Sequence, residues 1–221
     1  MILFKRSSLL PISVFVLTFC GIMFFATGVA GARKTPYNAT QDYVDKVMQV
    51  FQKHNVCSKK KISREKQQAI REELSQMAKK IFDFEYMCRK AVGPYWRVFT
   101  EKQRKQAVRL FSKLLETNYF DKMMEQLQDI RDLKRENIQV KNQEMLSSEK
   151  ALVKSIIYYQ DKKYPVNYIM RIKDDQWRIY DVEIEGVSLV NNYSSQFREI
   201  LSRNKPRGFL QKLQDKVAEE E

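Results

Sequence analysis

Histidine is almost missing from this 221-residue chain, since His54 is its only one. Cysteine is nearly as scarce, with Cys20, Cys57 and Cys88 far apart. A single imidazole and thiols at this spacing make no recognisable zinc site, so no metal is expected. None of the six glycines is grouped into a phosphate-cradling loop. No nucleophile elbow and no paired-carboxylate pattern occurs either, and no catalytic residue or cofactor is expected. Positive charge, by contrast, is abundant: 40 Lys and Arg stand against 27 Asp and Glu, a net charge of +13. Apolar residues make up 43% and charged ones 30%, a globular rather than a disordered composition. The length is enough for one domain with a real core and marginal for two.

Residues 1–32 stand apart from the rest. Lys5-Arg6 precede a mostly apolar stretch from Leu9 to Ala26, and Ala30-Gly31-Ala32 offers an A-x-A cleavage site. The expectation is a cleaved secretory signal over 1–32 and a single domain over 33–221. An uncleaved anchor is the alternative, because the apolar run is long for a signal. A lipoprotein is disfavoured, since Phe19 precedes Cys20 where a small residue is needed. Cleavage removes Lys5 and Arg6 and no acid, lowering the net charge from +13 to +11. A basic exported chain attracts anionic lipid headgroups and acidic protein surfaces. Nucleic acid is not an expected partner, because the basic residues are spread along the chain and mixed with acids. The short run Lys59-Lys60-Lys61 reads as a solvated loop. In an oxidising compartment Cys57 and Cys88 form a candidate disulfide; bridged and free states are both open.

Along the mature chain, helical spacing comes first. Thr40 can cap a helix with Val44, Val47, Met48 and Phe51 on one stripe, and Ser63 a second with Ile70, Leu74, Met77, Ala78 and Ile81 inward. The chain then runs through an aromatic patch (Phe82, Phe84, Tyr86) to Gly93-Pro94, which interrupts it. Thr100-x-x-Gln103 is a capping-box pattern opening the longest helix, with Ala107, Val108, Phe111, Leu114, Leu115, Tyr119, Met123 and Leu127 on one side. From about Asn137 the apolar residues alternate instead. Strands are expected near 136–146, 149–160, 164–174 and 176–185, joined by turns at Asp161-Lys162-Lys163 and Asp174-Asp175-Gln176. In the last strand the phase slips between Trp177/Ile179 and Val182/Ile184, which a bulge would explain. Phe209, Leu210, Leu213 and Val217 form a final short helix. Helices followed by strands mean α+β, with about four antiparallel strands packed on helices by one face. The other face is expected to be partly covered by a terminal helix.

The stretch Trp177–Phe197 (WRIYDVEIEGVSLVNNYSSQF) organises the rest: a strand, a break at Glu185-Gly186, and an amphipathic helix capped by Ser188. Its W-x-x-Y-D-V-x-x-x-G-V-S-L-V run and the N-Y-x-x-Q-F helix start resemble the hallmark segment of the MlaC-like family, also called toluene-tolerance auxiliary proteins. Gly93-x-x-Trp96, Gln103, Phe111 and Leu115 resemble the family too, and the likeness covers about residues 38–218. Ser194 stands where relatives often carry Arg, so that residue's headgroup or partner contact is not expected here. The resemblance implies a nuclear-transport-factor-like fold, a curved antiparallel sheet packed against several helices and enclosing an apolar cavity for phospholipid acyl chains. It also implies a monomeric periplasmic shuttle. Its partners would be an inner-membrane ABC transporter with a lipid-binding partner subunit and an outer-membrane lipoprotein–porin complex, in a pathway maintaining outer-membrane asymmetry.

The candidate lipid-binding residues are Tyr168, Met170, Trp177 and Ile179 from the sheet, with Trp96, Phe111, Leu115, Tyr119, Val187, Leu189, Val190, Tyr193 and Phe197 from the helices and the glycine corner. Arg97, Lys102, Arg104, Lys105 and Arg109 are candidates for a headgroup or partner surface. Without the resemblance such stripes read as plain core. A second alternative is a cone-fold enzyme acting on an apolar substrate. Its acid or base would be Asp181, with Glu183, Tyr168 and His54 as lesser candidates, and the bland counterpart for Asp181 is a buried carboxylate bonded to a neighbouring helix end or arginine.

Overall fold

The computed structural model describes residues 33–56, 62–121, 133–159 and 161–219, with backbone alone at 119–121. The 1–32 signal, Lys59-Lys60-Lys61, Cys57, Met123 and Leu127 lie outside the described residues, as does the Tyr119 side chain. Of the two units into which the chain divides, Met1–Arg33 therefore contributes little here, and Lys34–Glu221 carries the fold.

Side-chain caps set most helix starts. Helix α1 (Pro36–Lys53) is capped by Thr35, whose hydroxyl accepts from Asn38 N at 3.1 Å. Pro36 occupies the first helical position, where its missing N–H is no loss. The start expected at Thr40 is thus corrected: Thr40 lies one turn inside, buried, donating to Pro36 O at 2.9 Å. Ser63 caps α2 (Arg64–Ile81) as the spacing predicts. The helical reading through the aromatic patch is corrected next. Phe82 is extended and bridges to Ile179, Asp83 N donates to Ile179 O at 2.8 Å, and the Asp83 carboxylate caps α3 (Phe84–Val92). Gly93, at φ +62°, ends α3 and leads into a 3₁₀ turn over Gly93–Val98. The Thr100/Gln103 capping box opens α4 (Glu101–Leu115), which passes into a π-helical turn over Glu116–Asp121.

The strands β1 (Ile138–Ser147), β2 (Lys150–Tyr159), β3 (Lys162–Lys173), β4 (Gln176–Ile184) and β5 (Val187–Ser188) form one antiparallel meander in chain order. Asp174 and Asp175, at φ +49° and +57°, make the tight β3–β4 turn. The fifth strand goes beyond the sequence reading. Glu185 (φ +51°) and Gly186 (φ +83°) form a second two-residue hairpin rather than a direct strand-to-helix corner. The phase slip in β4 is a bulge: Ile169 pairs with Asp181 but Met170 with Ile179, leaving Tyr180 unpaired. Trp177, Ile179, Val182 and Ile184 thereby share one face. Ser188 caps α5 (Leu189–Arg203), and α6 (Pro206–Glu219) follows.

Two cores result. On one sheet face, Ala39 of α1 and Ile81 of α2 pack on Val140, Ala151, Val153, Met170, Trp177 and Ile179. Trp177 Nε1 donates to Lys34 O at 2.9 Å, and the Tyr43 hydroxyl donates to Trp177 O. The second core joins α3, α4, α5 and α6 around Met87, Phe111, Phe197 and Phe209, and meets the sheet along β4. The terminal helix α6 packs on α4 and α5 instead of the sheet, because Phe209, Leu210, Leu213 and Val217 all feed the helical core.

Candidate functional site

A pocket of about 300 Å³ opens in the seam between the two cores. Ala78 of α2, Phe82, and Phe84 and Met87 of α3 form one wall. Val182 and Ile184 of β4, Val187, and Leu189 at the start of α5 face them, and Leu115 closes the α4 side. Glu116, Ser188 and Asn192 are its polar lining. Phe82 and Phe84 stack with ring centroids 5.7 Å apart, although Asp83 lies between them. Ile184 and Val187, cross-strand partners on the β4–β5 hairpin, are 45% and 65% exposed and so mark the mouth.

Of the sequence-nominated residues, Leu115, Val187 and Leu189 line this pocket. Phe111, Val190, Tyr193 and Phe197 lie in the helical core, with Phe111 edge-on to Tyr193 (5.3 Å) and Phe197 (5.5 Å). Met170, Trp177 and Ile179 lie in the sheet core, with half-buried Tyr168 beside them, where burial raises the phenol's pKa. Trp96 lines a separate groove of about 580 Å³ with Arg89, Arg104, Lys105 and Arg109. Arg104 is fixed there over the Trp96 ring and donates to Trp96 O at 3.2 Å, while Lys105 pairs with Glu101 at 2.7 Å. Sequence reasoning missed Ala78, Phe82, Phe84, Met87, Val182, Ile184, Glu116, Ser188 and Asn192. The aromatic patch and the restored phase beyond the bulge were the signals for Phe82, Phe84, Val182 and Ile184.

The candidate acids and bases lie outside the pocket wall. Asp181 Oδ1 accepts from Val182 N (2.9 Å) and Val190 N (3.0 Å), and Oδ2 accepts from Ser188 Oγ (2.5 Å). It therefore ties β4 to the start of α5, the helix-end role set out above. Asp181→Ala should lower stability by about 1–2 kcal/mol, the usual loss of a cap and its bonds, read as a shift in the urea midpoint. Glu183 accepts from Asn167 Nδ2 at 3.2 Å. His54 meets Glu73 at 2.9 Å with its side chain 14% exposed, so it is less exposed than its polar surroundings suggest. That hydrogen bond, and then Lys53, hold the Glu73 carboxyl below its usual range. Cys88 is fully buried and its thiol pKa is pushed up by that burial, while Cys57 lies outside the described residues. Ser194 is buried and accepts from Arg198 Nη2 at 3.2 Å.

The family model described as MlaC protein matches residues 41–215. Among solved structures, the chain is similar to a phospholipid-binding protein from Ralstonia solanacearum in complex with a phospholipid. Identity is 20% and the TM-score 0.70, over 85% of this chain and 99% of that one. No curated protein matches the chain.

Proposed function

The chain belongs to the MlaC family, and we propose that it is a periplasmic phospholipid carrier, exported by a signal over residues 1–32. The observation that carries the reading is the apolar seam pocket with its exposed apolar mouth at Ile184 and Val187. Each methylene taken from water into such a pocket is worth about 0.8 kcal/mol, so retention needs no catalytic group. At about 300 Å³ the pocket sits at the lower end of ligand cavities and holds part of one acyl chain. Two chains require the seam to widen, and a joint between two separately packed cores is where a fold widens most easily. The sequence-nominated residues Met170, Ile179, Phe111 and Tyr193 would then become deeper walls. The carrier would exchange lipid with an inner-membrane ABC transporter carrying a lipid-binding subunit and with an outer-membrane lipoprotein–porin complex. No helix among the described residues is long and apolar enough to cross a membrane, which fits a shuttle. The enzymatic alternative is weaker, because both oxygens of Asp181 are already engaged.

The test is native mass spectrometry of the protein purified without detergent, followed by organic extraction. The expected result is one phospholipid per chain. A protein that stays empty after incubation with phospholipid vesicles overturns the reading.

A further inference from the structure

Net charge and local charge point in opposite directions at the pocket. The chain is strongly basic, yet no Lys or Arg is among the described residues lining the seam. The one ionisable side chain among the described lining residues is Glu116, half-buried at the start of the π-helical turn that follows α4. Its carboxylate has no ion-pair or hydrogen-bond partner among the described residues. Such turns are frequent at functional sites. A half-buried carboxylate on an apolar wall is poorly solvated, and a cation that reaches it is favoured.

The other polar groups sort themselves by what they already bind. Ser188 Oγ is spent, donating to Asp181 and accepting from Asn191 N at 3.0 Å. The Asn192 carbonyl oxygen accepts from Gln196 Nε2 at 3.3 Å, which leaves the amide N–H groups to donate. The pocket thus offers one carboxylate acceptor and one amide donor beside an apolar slot. We propose that Glu116 selects phospholipids whose headgroup carries an ammonium over those whose headgroup is anionic. The ammonium meets the Glu116 carboxylate and the phosphate meets the Asn192 amide. An anionic glycerol headgroup brings its phosphate to Glu116 with no cation among the described lining residues to offset it. Lys113, one helical turn before Glu116, is not among the described residues that line the pocket. The inference rests on the carrier reading and concerns which lipid is carried.

The experiment equilibrates detergent-free protein with vesicles holding equal amounts of phosphatidylethanolamine and phosphatidylglycerol with matched acyl chains. Bound lipid is then extracted and counted. The wild type is expected to carry about three-fold more of the amine lipid, the size of a partly exposed ion pair. Glu116→Gln is expected to load the two in the vesicle ratio; Glu116→Lys is expected to favour the anionic lipid. Thermal melts check that both variants fold. A wild type loaded in the vesicle ratio, or a Glu116→Gln variant that still enriches the amine lipid, overturns the selection by Glu116 and leaves the carrier reading standing. A wild type that takes up neither lipid overturns both.

Discussion

Replacing Asp83 by alanine is expected to lower the unfolding free energy by about 3–5 kcal/mol, the usual loss when one partner of a buried ion pair is removed. The Asp83 side chain is wholly buried, and each of its oxygens is used. Oδ1 accepts from Tyr86 N at 3.1 Å and from Lys173 Nζ at 3.2 Å, and Oδ2 accepts from Arg171 Nη1 at 2.8 Å. Arg171 is held in turn over the Tyr86 ring at 4.4 Å. Alanine removes a helix cap and leaves two cations of β3 without their shared partner, against a total stability of about 5–15 kcal/mol for a domain. Asp83→Asn keeps a capping oxygen and should lose roughly half as much. Burial alone would lower the Lys173 pKa, but the hydrogen bond and charge of Asp83, with Glu85, raise it above the ordinary lysine value. That contribution is present below the unfolded lysine pKa and lost as pH rises through the folded one. The wild type should therefore lose stability above about pH 10 more steeply than Asp83→Ala. Urea titrations at neutral and alkaline pH measure both effects. A loss under about 1 kcal/mol would show that the pair is mere surface decoration. Because Phe82 and Phe84 flank Asp83 and both line the pocket, the same variant should also loosen lipid retention.

The features legible in the sequence are those whose cause is local. Ser63, the Thr100/Gln103 box and Ser188 satisfy orphan N–H groups within three residues, so their helix starts can be read without the fold. The β4 bulge is legible because a one-residue slip moves apolar side chains to the other face, and the run from Trp177 to Ile184 records it. Thr35-Pro36 carried an equally local start signal that the apolar stripe beginning at Val44 obscured. The break at Phe82-Asp83 was not local. It exists because Ile179, far along the chain, supplies the carbonyl and the strand edge that replace a helical turn. The same limit separates pocket from core. Phe111 and Leu115 sit one helical turn apart on one apolar stripe of α4, yet Phe111 is enclosed by Tyr193 and Phe197 while Leu115 faces the seam. Periodicity reports which side is apolar, and only the meeting of two cores decides what that side touches.

Filling the seam is expected to empty the protein of lipid without unfolding it. Ala78 is the smallest of the apolar side chains in the wall, and it projects from α2, an element held by Ile70, Leu74 and Ile81 in cores on either side. Ala78→Phe places a ring where part of an acyl chain would lie. Displacing two or three methylenes removes about 2 kcal/mol of apolar burial, so lipid content should fall more than ten-fold. In a well-packed core the same change would force side chains off their rotamers and cost about 1–3 kcal/mol. In an open pocket the ring finds room, and the melting temperature should hold or rise. The contrast is Phe111→Ala, a truncation in the closed helical core, expected to cost about 3–5 kcal/mol. Thermal melts and extracted-lipid counts on the two variants separate the roles of seam and core. A fully loaded Ala78→Phe protein would move the lipid site away from the seam, towards the groove beside Trp96 and Arg104. An empty but stable one would fix it between β4 and the Phe82–Met87 wall, where the two cores must part for a second chain to enter.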